Sequence, residues 1–373
     1  MWPPSTARSG AVSKALSAQI DWALFVRLVK RHRNAGLVFR ALGGREGIDP
    51  AARAAIAKLS QEIALASMFH MAELKRVAAK FSEAGVPVGV LKGISLAVLA
   101  YGDPMIRHSK DLDLLVADAH IDDALRVLES EGYRRVVPAT GLSPAQTCIW
   151  RETQKHMTLE SPGGVQVELH WKPLMYRSMR GIAADKDAWY DAVIASTLRV
   201  STLKPDLLFA YLCAHGGYHA WFRLKWLADI GALLAAASPA DMARLYRSAK
   251  AVGLGLAAAQ AIVLSARLLA TPVDGELLRE LRRDWRMATL ERLALRAMTW
   301  RDDAEPEQTA FGKLPIVATG VLMANGVSEA LREGVRGIVN PHDLLLRGGP
   351  DWVARCYPLL RMPLWIWDRL VRS

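Results

Sequence analysis

Only three cysteines, Cys148, Cys213 and Cys356, are scattered through the 373 residues. They are too few and too dispersed for a disulfide framework or a thiolate zinc site, and they point to a reducing cytoplasm. No apolar run approaches the roughly 20 residues of a membrane-spanning helix. The nearest stretches, Val252–Leu264 and Leu314–Val327, carry Gln260 and Asn325 within them and are expected to be buried core helices. The opening residues, Met1 to Thr6, are not followed by an apolar segment, so no secretory signal is expected. Runs of five or six like charges, internal repeats and low-complexity tracts are also missing.

Hydrophobic residues make up 51% and charged residues 23%, enough to bury a sizeable core and to exclude wholesale disorder. Lysine and arginine total 48 against 37 acidic residues, a formal charge of +11. That sign suits nucleotides, nucleic acid or an anionic membrane surface, although an arginine-rich, alanine-rich chain acquires it with no partner at all. Patterning divides the chain into an N-terminal helical region (1–84), an α/β core (85–180) and a C-terminal helical region (181–373). The expected fold is α+β, a small mixed sheet flanked by helices. Helical periodicity is expected to return from about residue 173.

Val88–Leu91 reads as a buried strand ending at Lys92-Gly93, and a helix starts near Ser95. Gly102-Asp103-Pro104 stops it. In Asp111–Val116, alternation puts both aspartates on one face and Leu112, Leu114 and Val116 on the other. Two more strands are expected at 155–160 and 165–171 around the turn Ser161-Pro162-Gly163-Gly164, with Glu168 and His170 sharing a face.

Aspartates roughly 6–7 Å apart on one strand face repel unless a cation or a basic side chain lies between them. Asp111 and Asp113 therefore suggest a hard-cation site, with Glu168 as a third oxygen donor and Mg²⁺ as the fitting ion. Solvated acids, or salt bridges to Arg107 and Lys110, explain the same residues without a metal. Gly93 lets the backbone approach an anion at a helix start, where Ser95 can donate. Lys92 and Arg107 would add positive charge for a triphosphate.

Val90–Leu96, Tyr101–Pro104, Arg107 and Asp111–Val116 together resemble the bacterial nucleotidyltransferase-like family of the DNA polymerase beta superfamily. Asp21-Trp22, Arg31–Arg33, Glu168–Trp171 and the stretch from His215 to Asp229 extend the resemblance over about residues 20–235. It implies transfer of a nucleoside monophosphate from a nucleoside triphosphate to a hydroxyl. It also implies two Mg²⁺ ions held by Asp111, Asp113 and Glu168, and nucleotide contacts from Lys92, Gly93, Ser95 and Arg107. Such proteins are often encoded beside polysaccharide or peptide natural-product genes, so the implied acceptor is a small molecule, glycan or peptide. The glycine–serine loop matches only in part. That leaves open a degenerate nucleotide-binding or scaffolding protein, and adenylylation of a protein or RNA target is a further enzymatic alternative.

His215 and His219 fall on one helix face, but no glutamate follows His215 as a zinc protease requires. With His170, they are expected to serve structure or an acceptor pocket. Arg223 and Asp229 are expected to pair with each other across a turn or two. His342-Asp343 reads as a loop. The tail 351–373 mixes tryptophan with arginine; packing on the body is expected over a membrane surface, because Pro358 and Pro363 interrupt it.

Overall fold

Short capping residues open the long helices of the N-terminal region. In the computed structural model, which describes residues 6–138, 142–175, 178–196, 198–300, 305–306 and 309–338, α1 is Thr6–Leu16 and α2 is Trp22–His32. The Asp21 carboxylate caps α2 by accepting from the Leu24 amide at 2.8 Å. After α3 (Ala35–Leu42), Asp49 caps α4 (Pro50–Glu83), with proline in its first turn. The residues expected as a tail, 351–373, and His342-Asp343 lie outside the described residues.

The middle of the chain supplies a seven-stranded sheet. Its elements are β1 (Gly89–Val90), α5 (Ile94–Tyr101), β2 (Asp111–Leu115), α6 (Ile121–Ser130), β3 (Arg134–Val137), α7 (Pro144–Thr153), β4 (His156–Glu160), β5 (Gln166–His170), β6 (Trp189–Ala195) and β7 (Leu198–Leu203). The strand order is β3-β4-β5-β2-β1-β7-β6. β2 runs parallel to β5 and β1 parallel to β7; the other neighbours are antiparallel. The sheet is thus mixed, and the α+β architecture with helical flanks is the one expected.

One expectation needs correction here. Helical patterning does not resume at 173, because β6 and β7 form a hairpin and helix returns only at α8 (Pro205–Tyr218). The β-branched and alternating residues Val193, Ile194, Val200 and Thr202 carry the period of two that a reader of helices passes over. Gly89 explains how the hairpin seats itself: a Cβ there would lie 1.9 Å from the Trp189 ring. The absence of that one atom lets the indole lie on β1.

Each face of the sheet has its own core. Leu112, Leu114, Val167 and Leu169 pack under Leu74, Val77 and Phe81 of α4 and under Ile121, Leu125 and Leu128 of α6. Leu91, Leu115 and Leu203 face the other way, into a core built with α8 and α9 (Leu224–Ala235). That core continues through α10 (Pro239–Ala251), α11 (Gly255–Leu269), α12 (Gly275–Leu281) and α13 (Met287–Met298), followed by α14 (Ala310–Met323) and α15 (Val327–Ile338). Among the described residues, no helix is long and apolar enough to cross a membrane. The carboxylates stand on this second face, where the sheet meets α8 and α9.

Candidate active site

Parallel pairing of β2 with β5 sets Asp113 opposite Glu168 and Leu115 opposite His170. Because side chains alternate, Asp111, Asp113, Glu168 and His170 share a face. β4 pairs with β5 so that His156 stands opposite His170, which brings a second imidazole alongside. Lys92 enters from beyond β1, where the Leu91 amide donates to the Asp113 carbonyl at 3.0 Å. Its ammonium donates to Asp113 Oδ2 and lies 3.7 Å from Asp111 Oδ1.

The cluster has a buried floor and an open mouth. Asp113 and His170 side chains are 1% and 0% exposed, whereas those of Glu168 and His156 are 22% and 26% exposed. His170 Nε2 lies 3.1 Å from Glu168 Oε2 and 3.3 Å from Asp113 Oδ1. His156 Nε2 is 3.7 Å from Glu168 Oε1. Asp113 Oδ1 is buried and makes no hydrogen bond.

Burial opposes charge on every member, so their ionisation reports which neighbours win. Burial would raise the Asp113 carboxyl, but Lys92 and His170 hold it down to about 2. Glu168 is also held well below the usual carboxylate range: burial is outweighed by its bond to His170 and by the charges of His156, His170 and Lys92. Asp111 goes the other way, raised by burial and by the charges of Asp113 and Glu168 against the pull of Lys92. Lys92 stays charged because Asp113 and Asp111 overcome its desolvation. Burial lowers Lys155 and, well below its ordinary value, Lys225, while the Tyr211 hydroxyl is raised by burial and hydrogen-bonds to nothing.

The expected nucleotide contacts divide. Gly93 sits at the strand-to-helix turn with φ of +83°, a conformation that favours glycine, and a Cβ there would meet Ser109 Oγ at 3.3 Å. Ser95 is buried and its hydroxyl donates to the Lys92 carbonyl at 3.3 Å, turned into its own helix start. Arg107 does not face the cluster as an open charge. Its guanidinium is 4% exposed, and Nε and Nη2 donate to Asp229 at 2.9–3.0 Å. Tyr101 donates to the same carboxylate at 2.9 Å. Asp229 is therefore the counter-charge of Arg107, whereas Arg223 pairs with Glu305 at 2.6 Å. The expected Arg223–Asp229 pair does not form, because Arg107 and Tyr101 already occupy both oxygens of Asp229 while Arg223 reaches Glu305 through Nη2.

His215 and His219 do share a helix face, with ring centroids 5.0 Å apart, and each packs on Trp226 at 5.3 and 5.2 Å. Burial and nearby His219, Lys92, Lys155 and Lys225 keep His215 neutral. The histidine pair belongs to no group of three metal-capable side chains among the described residues. His156, Lys155 and Tyr211 are members of the site that reading the sequence missed. For His156 a signal exists: counting outward from the Ser161–Gly164 turn places it opposite His170.

A cross-strand acidic pair, a lysine among its carboxylates and a glycine turn at a helix start form a site suited to phosphate chemistry. Residues 18–270, which include the whole sheet and α8 to α11, match the family described as uncharacterised nucleotidyltransferase, and the chain belongs to it. Membership implies a nucleotide substrate and nucleotidyl transfer in general terms. A comparison with curated proteins returned no match.

Proposed function

We propose that the chain transfers a nucleoside monophosphate from a nucleoside triphosphate to an acceptor hydroxyl, using the carboxylate arrangement of the polymerase beta superfamily. The observation that carries this reading is the register of β2 and β5, which sets Asp113 beside Glu168 with Asp111 two residues away. Three carboxylates with a buried, hydrogen-bond-free Asp113 oxygen fit a divalent cation. Asp111, Asp113 and Glu168 would hold Mg²⁺, which when bound neutralises the triphosphate and makes the acceptor hydroxyl more acidic.

The chain's own groups supply the rest. Gly93 admits the phosphates close to the backbone, and Lys92 offsets the charge that builds on departing pyrophosphate. The acceptor oxygen forms a bond to the α-phosphorus as the bond to pyrophosphate breaks, and Glu168 at the open mouth takes the hydroxyl proton. A cavity of about 1640 Å³ beside His108 and Ser109 supports an acceptor of small-molecule, glycan or peptide size. Arg27, Lys30, Arg31 and Arg33 line it against Glu62 and Glu305, which favours an acceptor carrying negative charge.

A second reading has its own observation. Two of the four expected nucleotide contacts, Ser95 and Arg107, are turned into the protein interior, and this favours a binding or scaffolding protein without turnover. Pyrophosphate release separates the two, measured across the four ribonucleoside triphosphates with hydroxyl acceptors, proteins and RNA. Glu168→Gln is expected to lower turnover by about 10²-fold or more, the scale of one lost transition-state contact, with little change in nucleotide affinity. Equal loss of both would make Glu168 a ground-state ligand. No release by the unsubstituted protein with any acceptor would favour the binding protein.

A further inference from the structure

We propose that His156, Glu168 and His170, with Asp113 beneath them, form an imidazole–carboxylate site for a first-row transition-metal ion. As the identity of an ion used in catalysis, this rests on the nucleotidyl-transfer reading; as a binding site, it is tested without it.

The distances are those of ligands around one ion. His170 Nε2 to Glu168 Oε2 is 3.1 Å, His170 Nε2 to Asp113 Oδ1 is 3.3 Å, and His156 Nε2 to Glu168 Oε1 is 3.7 Å. Donors about 2.1 Å from a tetrahedral ion stand roughly 3.4 Å from one another. The candidate ligand atoms of His156, Glu168 and His170 all lie within 4.8 Å of each other.

Three further observations agree. The donors sit on β2, β4 and β5, whose pairing fixes them as rigid strand positions rather than loop side chains. His170 and Asp113 are buried while His156 and Glu168 reach solvent, so an ion can enter from the mouth and meet four donors below it. The buried Asp113 Oδ1 makes no hydrogen bond and borders His170 Nε2. Imidazole nitrogens suit Zn²⁺, Fe²⁺ or Ni²⁺, for which Co²⁺ is a coloured stand-in, whereas Mg²⁺ prefers oxygen ligands alone. The site thus shares Asp113 and Glu168 with the oxygen-only position and differs from it in exchanging Asp111 for two imidazoles.

Full-length protein stripped with a chelator is titrated with Co²⁺, followed by visible d–d absorption and by melting temperature. The expected result is one saturating equivalent, displaced by Zn²⁺ but not by millimolar Mg²⁺. His156→Gln should weaken Co²⁺ binding at least about tenfold and alter the spectrum, whereas Asp111→Asn should leave the spectrum unchanged. His170→Asn serves as the second variant should His156→Gln lower the metal-free melting temperature. Absence of a Co²⁺ band, equal displacement by Mg²⁺, or binding indifferent to both histidine substitutions would overturn the site and leave His170 a hydrogen-bond partner of Glu168 beside Asp113. Pyrophosphate release is scored separately. Co²⁺ bound without release retains the metal site and rejects the transfer reading, and Mg²⁺-supported release without Co²⁺ binding does the reverse.

Discussion

Two ionic centres lie within one fold, Arg107–Asp229 and Lys92 with its carboxylates, and their construction differs in every respect that matters. Arg107 presents a planar fork to both oxygens of Asp229, Tyr101 adds a third donor, and the pair is almost wholly buried. Lys92 is a single point charge among Asp111, Asp113 and Glu168, is 14% exposed, and leaves Asp113 Oδ1 without a hydrogen bond. The first centre joins α9 to the segment before β2, and both oxygens of its carboxylate already accept from its own donors. The second has more acceptors than donors. A saturated pair fixes architecture, while an unsaturated one retains capacity to bind.

Breaking each centre is the strongest test of that contrast. Arg107→Met strands the Asp229 charge in the interior and should cost about 3–5 kcal/mol in urea unfolding, with no recovery on adding divalent cation. Lys92→Met leaves neighbouring carboxylates unbalanced near solvent. It should cost less, and Mg²⁺ or Mn²⁺ should restore its melting temperature by mass action. Rescue of both variants, or of neither, would dissolve the distinction.

Backbone substitutions sharpen it at smaller cost. Gly93→Ala places a side chain at φ of +83° and should lose about 1–3 kcal/mol, together with the melting shift given by a nucleoside triphosphate. Gly102→Ala, at φ of +66° with nothing within 4 Å of the new atom, should lose about 1 kcal/mol and keep the nucleotide shift. A nucleotide shift that survives Gly93→Ala would move the phosphates away from this turn.

The most gradual effect is in pH. Burial, reinforced by Arg31 and Arg223, lowers His32 to about 4. Burial with Lys225 and Arg33 lowers His108 to about 3. Between those values and about 6.5 the unfolded chain binds more protons than the folded one, so stability falls as pH falls through that window. Each histidine can contribute a slope of at most about 1.4 kcal/mol per pH unit. Asp113, depressed to about 2, contributes stability that is complete above about 4 and is lost only below it. Urea midpoints between pH 7 and 5 should therefore decline through the basic cavity, and His108→Asn should flatten part of that decline. An unchanged slope would reject the assignment.

The acidic face was legible because a period of two is a local property: Asp111, Asp113, Glu168 and His170 read onto their faces from spacing alone. The turn at 161–164 likewise announced β4 and β5 within a residue of their observed ends. What spacing does not carry is which strands become neighbours. Val90 pairs with Thr202, and no local pattern marks that choice. The same limit hid the partner of Arg107, since Asp229 is separated from it by 122 residues. Arg107 read as a phosphate ligand because a lone arginine near two aspartates looks unpaired until the distant helix is in place. His156 differs, because its place opposite His170 follows from counting outward from the 161–164 turn across both strands and not from spacing along one.

β1 is only two residues long and lies between β2 and β7, with Thr202 Oγ1 donating to the Val90 carbonyl at 2.7 Å across 112 residues. The acidic half of the site, β2 with β4 and β5, is synthesised as one stretch and can pair as soon as it leaves the ribosome. The second flank of β1, the strand that leads into Lys92, follows only with β7. At about 5–20 residues per second, that interval is a few seconds. Were pairing to follow emergence, the carboxylates would gather first and the strand that carries their lysine would gain its second neighbour later, assembling the site in two instalments during translation.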